Sequence, residues 1–373
     1  MKFKTNAKQL LEVLTRASLF IDKRSYQQHL KAVEIEAREN KITIRATNLD
    51  LYYQESLDVF DIEEGITLVS CEQLINIIKS AKVKKLTPIT CNLIDGKFHT
   101  NIDNITSELT NFLDEELPNR TLKISKELTL DTKEFFKLLN NTKEFQSDEE
   151  SRRYIKGLYL ETTSNYADTQ VLRGVATNGH ILALHDMKIS HNNELQKGVI
   201  IPDYCINNLY KILAKSNNPT ITLQLNEHEI TFKIDNISLY SSLIDATYPN
   251  YSGAIPSYSD NTLTANTQEF YELVNSYNRF RKSYVLEFNI ENNKAKVENV
   301  IFGSDDSIAI IKREIDMITT FKNKYAIRFD MRYLKIILDK IEEQEVTFGL
   351  NENSNRAVIK SANNIFVIMS CRL

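Results

Sequence analysis

The sequence predicts an α+β fold made of three tandem copies of a two-helix, antiparallel-sheet domain, and three observations carry that prediction. A short strand running into a polar cap and an amphipathic helix recurs in nearly the same wording: TNAKQLLEVL from Thr5, LDTKEFFKLL from Leu130 and ANTQEFYELV from Ala265. The caps Asn6, Asp131 and Asn266 stand at near-equal intervals, and each is a residue type whose side chain satisfies the free amides of a helix start. A second strand-cap-helix unit follows each first unit at almost the same distance, as LVSCEQLINII with Ser70, IIPDYCINNLYKIL with Pro202 and IRFDMRYLKIIL with Asp330. Between the helices, apolar and polar residues alternate with the period of strands.

In the first copy, Val33-Glu34-Ile35-Glu36 and Ile42-Thr43-Ile44-Arg45 flank Glu39-Asn40, which predicts a hairpin with one buried face. In the second copy the helix after Asp131 sets Phe135, Phe136, Leu138 and Leu139 in one stripe and Lys133, Lys137, Asn140 and Asn141 opposite. Strand signals follow at Leu158 to Glu161, Ile221 to Leu225 and Ile230 to Ile234, then in the third copy at Leu286 to Ile290 and Ala357 to Lys360. Two further echoes tie copies one and two: ATN at Ala46 to Asn48 and Ala176 to Asn178, and IDNI at Ile102 to Ile105 and Ile234 to Ile237. With only 9 glycines and 6 prolines in the chain, most turns must be made by Asn, Asp and Ser, which tolerate turn geometry through local side-chain bonds. The expected domains are 1–126, 127–256 and 257–373, each near the commonest domain size and large enough for its own core.

At 42% hydrophobic and 26% charged residues, with no run of eighteen apolar residues and no charged-then-apolar leader, the expectation is a soluble cytoplasmic chain without a membrane span. Cys71, Cys91, Cys205 and Cys371 are scattered, without zinc-site spacing, and are expected to be reduced structural thiols. An enzyme is the competing class, and the sequence offers little for it. His180 and His185 do not make an HExxH pair, no glycine-rich phosphate loop or Gly-x-Ser-x-Gly elbow is present, and Asp148-Glu149-Glu150 is best read as a solvated loop. No metal and no cofactor are expected.

The charges are distributed unevenly. The chain is net −4, yet the stretches 6–18, 70–85, 131–143, 202–216, 266–282 and 330–340 that hold the six helices are each net positive. Outward positions are predicted for Lys8, Glu12 and Arg16, for Lys79 and Lys82, for Lys211 and Lys215, and in copy three for Arg279, Arg281, Lys282, Arg332, Lys335 and Lys340. One basic helix face is ordinary. Six pointing one way would make a basic surface for a polyanion inside an acidic exterior. Helices about 10 Å across leave a hole of roughly 9 Å when six close a ring, and about 28 Å when twelve do. A duplex is roughly 20 Å wide, given its groove depth. Two chains would close around it; one would not.

The MKF start, ATNLDL from Ala46, SRRYIKGLYLE from Ser151, ATNGHILAL from Ala176, IIP from Ile200, YPNYSGAIP from Tyr248 and the ending VIMSCRL, in this order and spacing, resemble the bacterial β sliding clamp family of the replicative DNA polymerase. The resemblance covers the whole length and implies a DNA-clamp fold, a ring-shaped head-to-tail homodimer with helices lining the channel, and no catalytic activity. It implies duplex DNA bound without sequence specificity, and polymerase subunits, a clamp loader and repair proteins as partners that dock through short linear peptides. It places the peptide cleft between the second and third domains, at Arg152, Ile155, Thr177, Gly179, His180, Leu182, Pro249, Ala254, Val367, Met369, Ser370, Cys371 and Arg372. A mostly apolar cleft with a few polar groups at its edge suits a Leu or Phe anchor. For DNA contact, it and the basic helix positions together suggest Arg24, Lys79, Lys82, Lys137, Arg152, Arg153, Tyr154, Lys211, Lys215, Arg279, Arg332 and Lys335. Arg152, Arg153 and Tyr154 put two guanidinium groups and a ring together, which suits phosphates and a sugar-base edge, while Asp148, Glu149 and Glu150 oppose strong binding there. The edge from Ile105 to Phe112 is expected to meet the partner chain.

The chain departs from the family where clients are expected to bind. Ile181 stands where the family usually has Arg, Pro249-Asn250-Tyr251-Ser252-Gly253-Ala254 replaces the usual Pro-Asp-Tyr-Arg-Arg-Val, and Met369-Ser370-Cys371-Arg372-Leu373 replaces Met-Pro-Met-Arg-Leu. Basic groups and a proline are gone, so the pocket is expected to be more apolar and more mobile. A monomeric peptide-binding scaffold would share the cleft but not the ring.

Overall fold

The computed structural model describes residues 1–112, 117, 124–165, 167–189, 194–195, 197–256, 261–277, 285–291, 294–302, 308–321, 325–350 and 355–371. Two compact units divide the chain: Met1–Phe136 with Tyr204–Leu243, and Lys137–Asp203 with Ile244–Leu373. Among the described residues, every pairing of named strands in both is antiparallel.

The first unit holds a five-stranded and an eight-stranded sheet. In order, the first runs Phe60–Glu63, Lys2–Asn6, Pro88–Ile94, Lys97–Ile102 and Ile105–Thr110. The second runs Lys126–Asp131, Thr220–Leu225, Glu229–Ile234, Ile237–Ser242, Leu51–Asp58, Lys41–Thr47, Ala32–Arg38 and Gly65–Ser70. The second unit holds a nine-stranded sheet, Val199–Pro202, Gly157–Ser164, Gln170–Thr177, Ile181–Lys188, Asn364–Met369, Arg356–Ser361, Glu345–Leu350, Asn261–Asn266 and Ile318–Thr319. Its four-stranded sheet runs Ile308–Asp316, Lys294–Phe302, Val285–Glu291 and Tyr325–Asp330.

These orders repeat the same two four-strand sets three times. Lys2–Asn6, Pro88–Ile94, Lys97–Ile102 and Ile105–Thr110 have counterparts in Lys126–Asp131 through Ile237–Ser242 and in Asn261–Asn266 through Asn364–Met369. The third copy, linked in sequence mainly by its helices, repeats both sets. Neighbouring copies join edge to edge, Ile237–Ser242 on Leu51–Asp58 in the first unit and Asn364–Met369 on Ile181–Lys188 in the second.

The helices are α1 (Ala7–Ala17), α2 (Cys71–Ser80), α3 (Thr132–Thr142), α4 (Asp203–Leu213), α5 (Thr267–Tyr277) and α6 (Met331–Leu338). The expected caps form: Asn6 accepts from the amides of Lys8 and Gln9, Asp131 from Lys133 and Glu134, Asn266 from Glu269, Ser70 from Gln73 and Asp330 from Arg332. Each satisfies amides that a helix start would otherwise leave open. Before α4 stands Pro202, which has no side chain able to cap, with Asp203 in the first turn. Buried positions recur at helical spacing, as Leu10, Val13, Leu14 and Ala17 in α1 and Met331, Leu334, Ile337 and Leu338 in α6. Burying each leucine contributes about 1.5–3 kcal/mol.

The echoes have local causes. In both ATN segments the Thr hydroxyl donates to a carbonyl across the turn, Thr47 to Leu51 and Thr177 to Ile181 at 2.7 Å, and the Asn oxygen accepts the amides of Leu51 and Ile181. Both turns carry a positive φ at the fourth residue, 78° at Leu49 and 90° at Gly179. Each IDNI closes a tight hairpin, Ile102 opposite Ile105 and Ile234 opposite Ile237, with Asp103 and Asp235 at φ 51°. Asp61, Asp95 and Asp168 also take positive φ, so aspartate supplies much of the turn chemistry that glycine is too scarce to provide.

Four side chains sit otherwise than the alternation suggests. Glu34 is buried rather than solvent-facing, because Arg45 opposite it bonds both Glu34 and Glu36 at 2.6 Å. Arg16 turns to Glu55, with bonds of 2.6 and 2.9 Å, and Tyr53 donates to the same carboxylate. Asn141 is buried against His185 and Asn364. Lys340 pairs with Glu144 at 2.9 Å and is only 7% exposed. In each case a polar partner on a neighbouring element draws in a residue that periodicity places outside. Arg281 and Lys282 lie outside the described residues.

Candidate functional site

The second unit carries a surface cleft of about 260 Å³, built where strand Ile181–Lys188 pairs with strand Asn364–Met369. That register sets Leu182 opposite Val367, and the two form the floor with Ile155 from the 3-10 turn Glu150–Ile155. Thr177, Gly179, His180 and Ile181 close one end, and Pro249, Asn250, Tyr251 and Ala254 line another wall. Arg152, Tyr154, Arg356 and Met369 complete the lining. No carboxylate is among these residues.

The floor rests on a packed apolar layer. Beneath it Val175, Leu184, Ile200, Tyr248, Val358 and Ile365 pack as one buried cluster, and the rings of Tyr159 and Tyr248 stack 4.6 Å apart at 6°. Tyr251 ties the 249–254 turn to this layer: its hydroxyl donates to Glu161 and accepts from Arg173, whose guanidinium grips Asp186 through two bonds of 2.7 and 2.8 Å. Burial pushes the Tyr159 phenol up to about 12, reinforced by Glu161. Burial likewise lifts Tyr251 to about 12, Glu161 adding to the rise and Arg173 opposing it. Both phenols are thus held protonated at neutral pH. The His180 ring stacks on Tyr333, 5.7 Å away at 17°.

Of the residues expected in a peptide cleft, Arg152, Ile155, Thr177, Gly179, His180, Leu182, Pro249, Ala254, Val367 and Met369 are brought together here. Ser370 and Cys371 are not among the lining residues. Their amides donate instead to the carbonyls of Asn355 and Arg328, each at 2.8 Å. Arg372 lies outside the described residues. Sequence reasoning missed Asn250, Tyr251 and Arg356 as lining and assigned Tyr154 only to DNA. Arg356 sits opposite Met369 in the register, a pairing that no sequence pattern reveals.

The basic positions are more dispersed. Arg24, Lys79, Lys82, Lys211, Lys215 and Arg153 are exposed, and Tyr154 is 41% exposed. Lys137 lies 3.7 Å from Glu342, Arg152 pairs with Glu149 at 3.0 Å, and Arg332 pairs with its own helix cap Asp330 at 2.6 Å. Lys335 is half-buried. Arg279 lies outside the described residues. Cys71, Cys91 and Cys205 are buried free thiols, and burial lifts Cys71 and Cys205 to about 12, which leaves them protonated and inert.

Residues 1–108 match the N-terminal domain of the DNA polymerase III β subunit, and residues 129–250 match its central domain. The two matches together span more than half of the chain. It belongs to the bacterial β sliding clamp family. Among β sliding clamps, that of Rickettsia bellii is 26% identical and that of Rickettsia felis 25%, each over the whole of both chains. The solved sliding clamp of Bartonella birtlesii, bound to griselimycin, superposes with a TM-score of 0.89 at 26% identity, covering all of both chains. A Caulobacter crescentus clamp superposes at 0.91 with 22% identity, also covering all of both chains, and so shares the fold. The β-clamp fold therefore accounts for the threefold repetition of strand order.

Proposed function

We propose that two copies of this chain close head to tail into a ring around duplex DNA and tether client proteins through peptides seated in the cleft. The observation that carries the client half is the cleft itself: an open apolar floor of Ile155, Leu182 and Val367 with two arginines and no carboxylate around it. Such a site holds a Leu or Phe anchor and offers hydrogen bonds at its rim, and nothing in it is arranged to break a bond. The chain then acts as a processivity factor rather than an enzyme. Its domains are 1–126, 127–256 and 257–373, and it works in the cytoplasm after an ATP-driven loader opens the ring.

DNA is held through salt-sensitive contacts from Arg24, Lys79, Lys82, Lys137, Arg153, Tyr154, Lys211, Lys215 and Lys335, with Arg279 and Arg332 from the third copy. Such contacts track phosphates without reading sequence, as sliding requires. Arg152 serves the cleft rim. Loaded protein should stay on closed circular plasmid and leave it on linearisation; equal retention on both forms would show ordinary DNA binding, and a stable monomer at micromolar concentration by light scattering would favour a peptide scaffold. A consensus bacterial clamp-binding peptide should bind in the cleft more weakly than to a typical clamp, because Ile181, Ser252 and Gly253 stand where the family resemblance implies arginine. Equal or tighter binding in a titration would refute that weakening.

A further inference from the structure

Arg356 begins strand Arg356–Ser361, faces Met369 in the register and lines the cleft. Its Nη1 donates to the carbonyl of Gly253 at 3.0 Å and to that of Ala254 at 3.4 Å. The guanidinium therefore rests on the 249–254 turn, which carries no charged side chain of its own. Only Nη1 is engaged; among the described residues Nε and Nη2 make no hydrogen bond. The other cleft arginine, Arg152, already pairs with Glu149. The nearest carboxylates of the supporting layer are occupied too, Asp186 by Arg173 and Glu161 by Tyr159 and Tyr251.

We propose that Arg356 is a specificity-determining residue of the cleft, a fixed cation that selects client peptides carrying a carboxylate beside their apolar anchors. This rests on the reading of the cleft as a peptide site. A guanidinium held by one nitrogen keeps its remaining N–H groups in a planar fork, the shape that matches a carboxylate. The two carbonyl bonds fix its direction, so little side-chain freedom is lost on binding. The cation of this wall is thus supplied from strand Arg356–Ser361 and not from the 249–254 turn, and a client fitted to this chain carries its acid where Arg356 reaches it.

The test uses the full-length protein and labelled, C-terminally amidated peptides of the form Gly-Leu-Xaa-Leu-Phe, in which one Asp or its uncharged Asn counterpart is moved through each non-anchor position. Anisotropy titrations should show, at one position at least, about tenfold tighter binding of the Asp peptide, a difference of about 1.4 kcal/mol, shrinking as salt is raised. Arg356→Gln, which keeps a donor for the Gly253 carbonyl, should erase that preference, so that the Asp and Asn peptides bind alike. No heavy atom lies within 4 Å of where a Cβ on Gly253 would sit, so the double variant Gly253→Arg with Arg356→Gln should recover a preference for Asp. Equal binding of Asp and Asn peptides at every position, or a preference surviving Arg356→Gln, overturns the assignment of Arg356 and leaves the cleft standing. If no peptide binds the wild-type protein, the cleft reading falls and the proposal with it.

Discussion

Leu49 shows how a repeated sequence can carry unequal strain. It occupies the turn position that Gly179 holds in the next copy, at φ 78°, a conformation that L side chains adopt at a cost. Leu49 is also 52% exposed, so its side chain returns little burial. Leu49→Gly should therefore stabilise the protein by about 1 kcal/mol, the relieved strain outweighing the extra freedom of glycine in the unfolded chain, and would be seen as a raised denaturation midpoint. A lowered midpoint would mean that the Leu49 side chain is held by packing that repays its conformation. Glu144 gives a second residue-level prediction. Burial alone would raise its carboxyl, but its bonds to Lys340 and Lys143 win and hold it below the ordinary 4.5. A depressed carboxylate contributes stability above that ordinary value and loses it as pH falls through the folded one. Glu144→Gln should thus be less stable than the parent at pH 7, with the gap closing below about pH 4.5; a gap constant from pH 7 to 3 would remove the ion pair from the account.

At the scale of elements, the joins between copies matter more than the copies. In the second unit His185 faces Asn364 across the join, its Nδ1 lying 2.6 Å from Asn364 Oδ1, which also accepts from Asn141 on α3 at 3.1 Å. The first unit has Arg16 and Glu55 at the matching helix and strand positions. A one-residue slip would turn every apolar side chain of the joined strand outward, and a buried polar contact that fits a single register opposes it. Asn364→Ala should cost about 1–3 kcal/mol, the usual penalty for stranding buried donors, measured from urea unfolding; a loss under about 0.5 kcal/mol would show that backbone pairing alone fixes the join. A second contrast explains where the cleft lies. The positions of Leu182 and Val367 are taken in the first unit by Tyr52 and Tyr240, opposite one another with rings edge to face at 5.6 Å.

The helices, their caps and the hairpins at Glu39-Asn40 and IDNI were legible in the sequence because each depends on residues within a few positions of one another. Asn141, Arg16 and Lys340 were misread as outward for the opposite reason: their partners Asn364, Glu55 and Glu144 are distant in sequence and reached only through folding. The cleft shows the same division. Ten of its lining residues come from motifs shared with relatives, whereas Arg356 enters through strand register, and Asn250 and Tyr251 through the path of a turn.

For the whole molecule, the charge balance sets how a ring should behave. The chain is acidic at net −4, and several of its helix cations are already engaged, Arg16, Lys340 and Arg332 among them. Under the proposed ring, the cations left for DNA are a modest set led by Arg24, Lys79, Lys82, Lys211 and Lys215. Contacts of this kind weaken steeply with salt, the logarithm of affinity falling by about 0.9 per phosphate contact for each decade of salt. Topological linkage has no such dependence. The two should therefore separate experimentally: between 50 and 200 mM salt, a range in which even a few contacts lose much of their strength, association with linear duplex should fall many-fold while the half-life of loaded protein on closed circles changes less than twofold. Replacing Lys79, Lys82, Lys211 and Lys215 together by Glu should lower the first quantity further and spare the second once protein is loaded. If retention on circles falls in step with binding to linear DNA, the chain is held by its charges, and the ring is not what keeps it there.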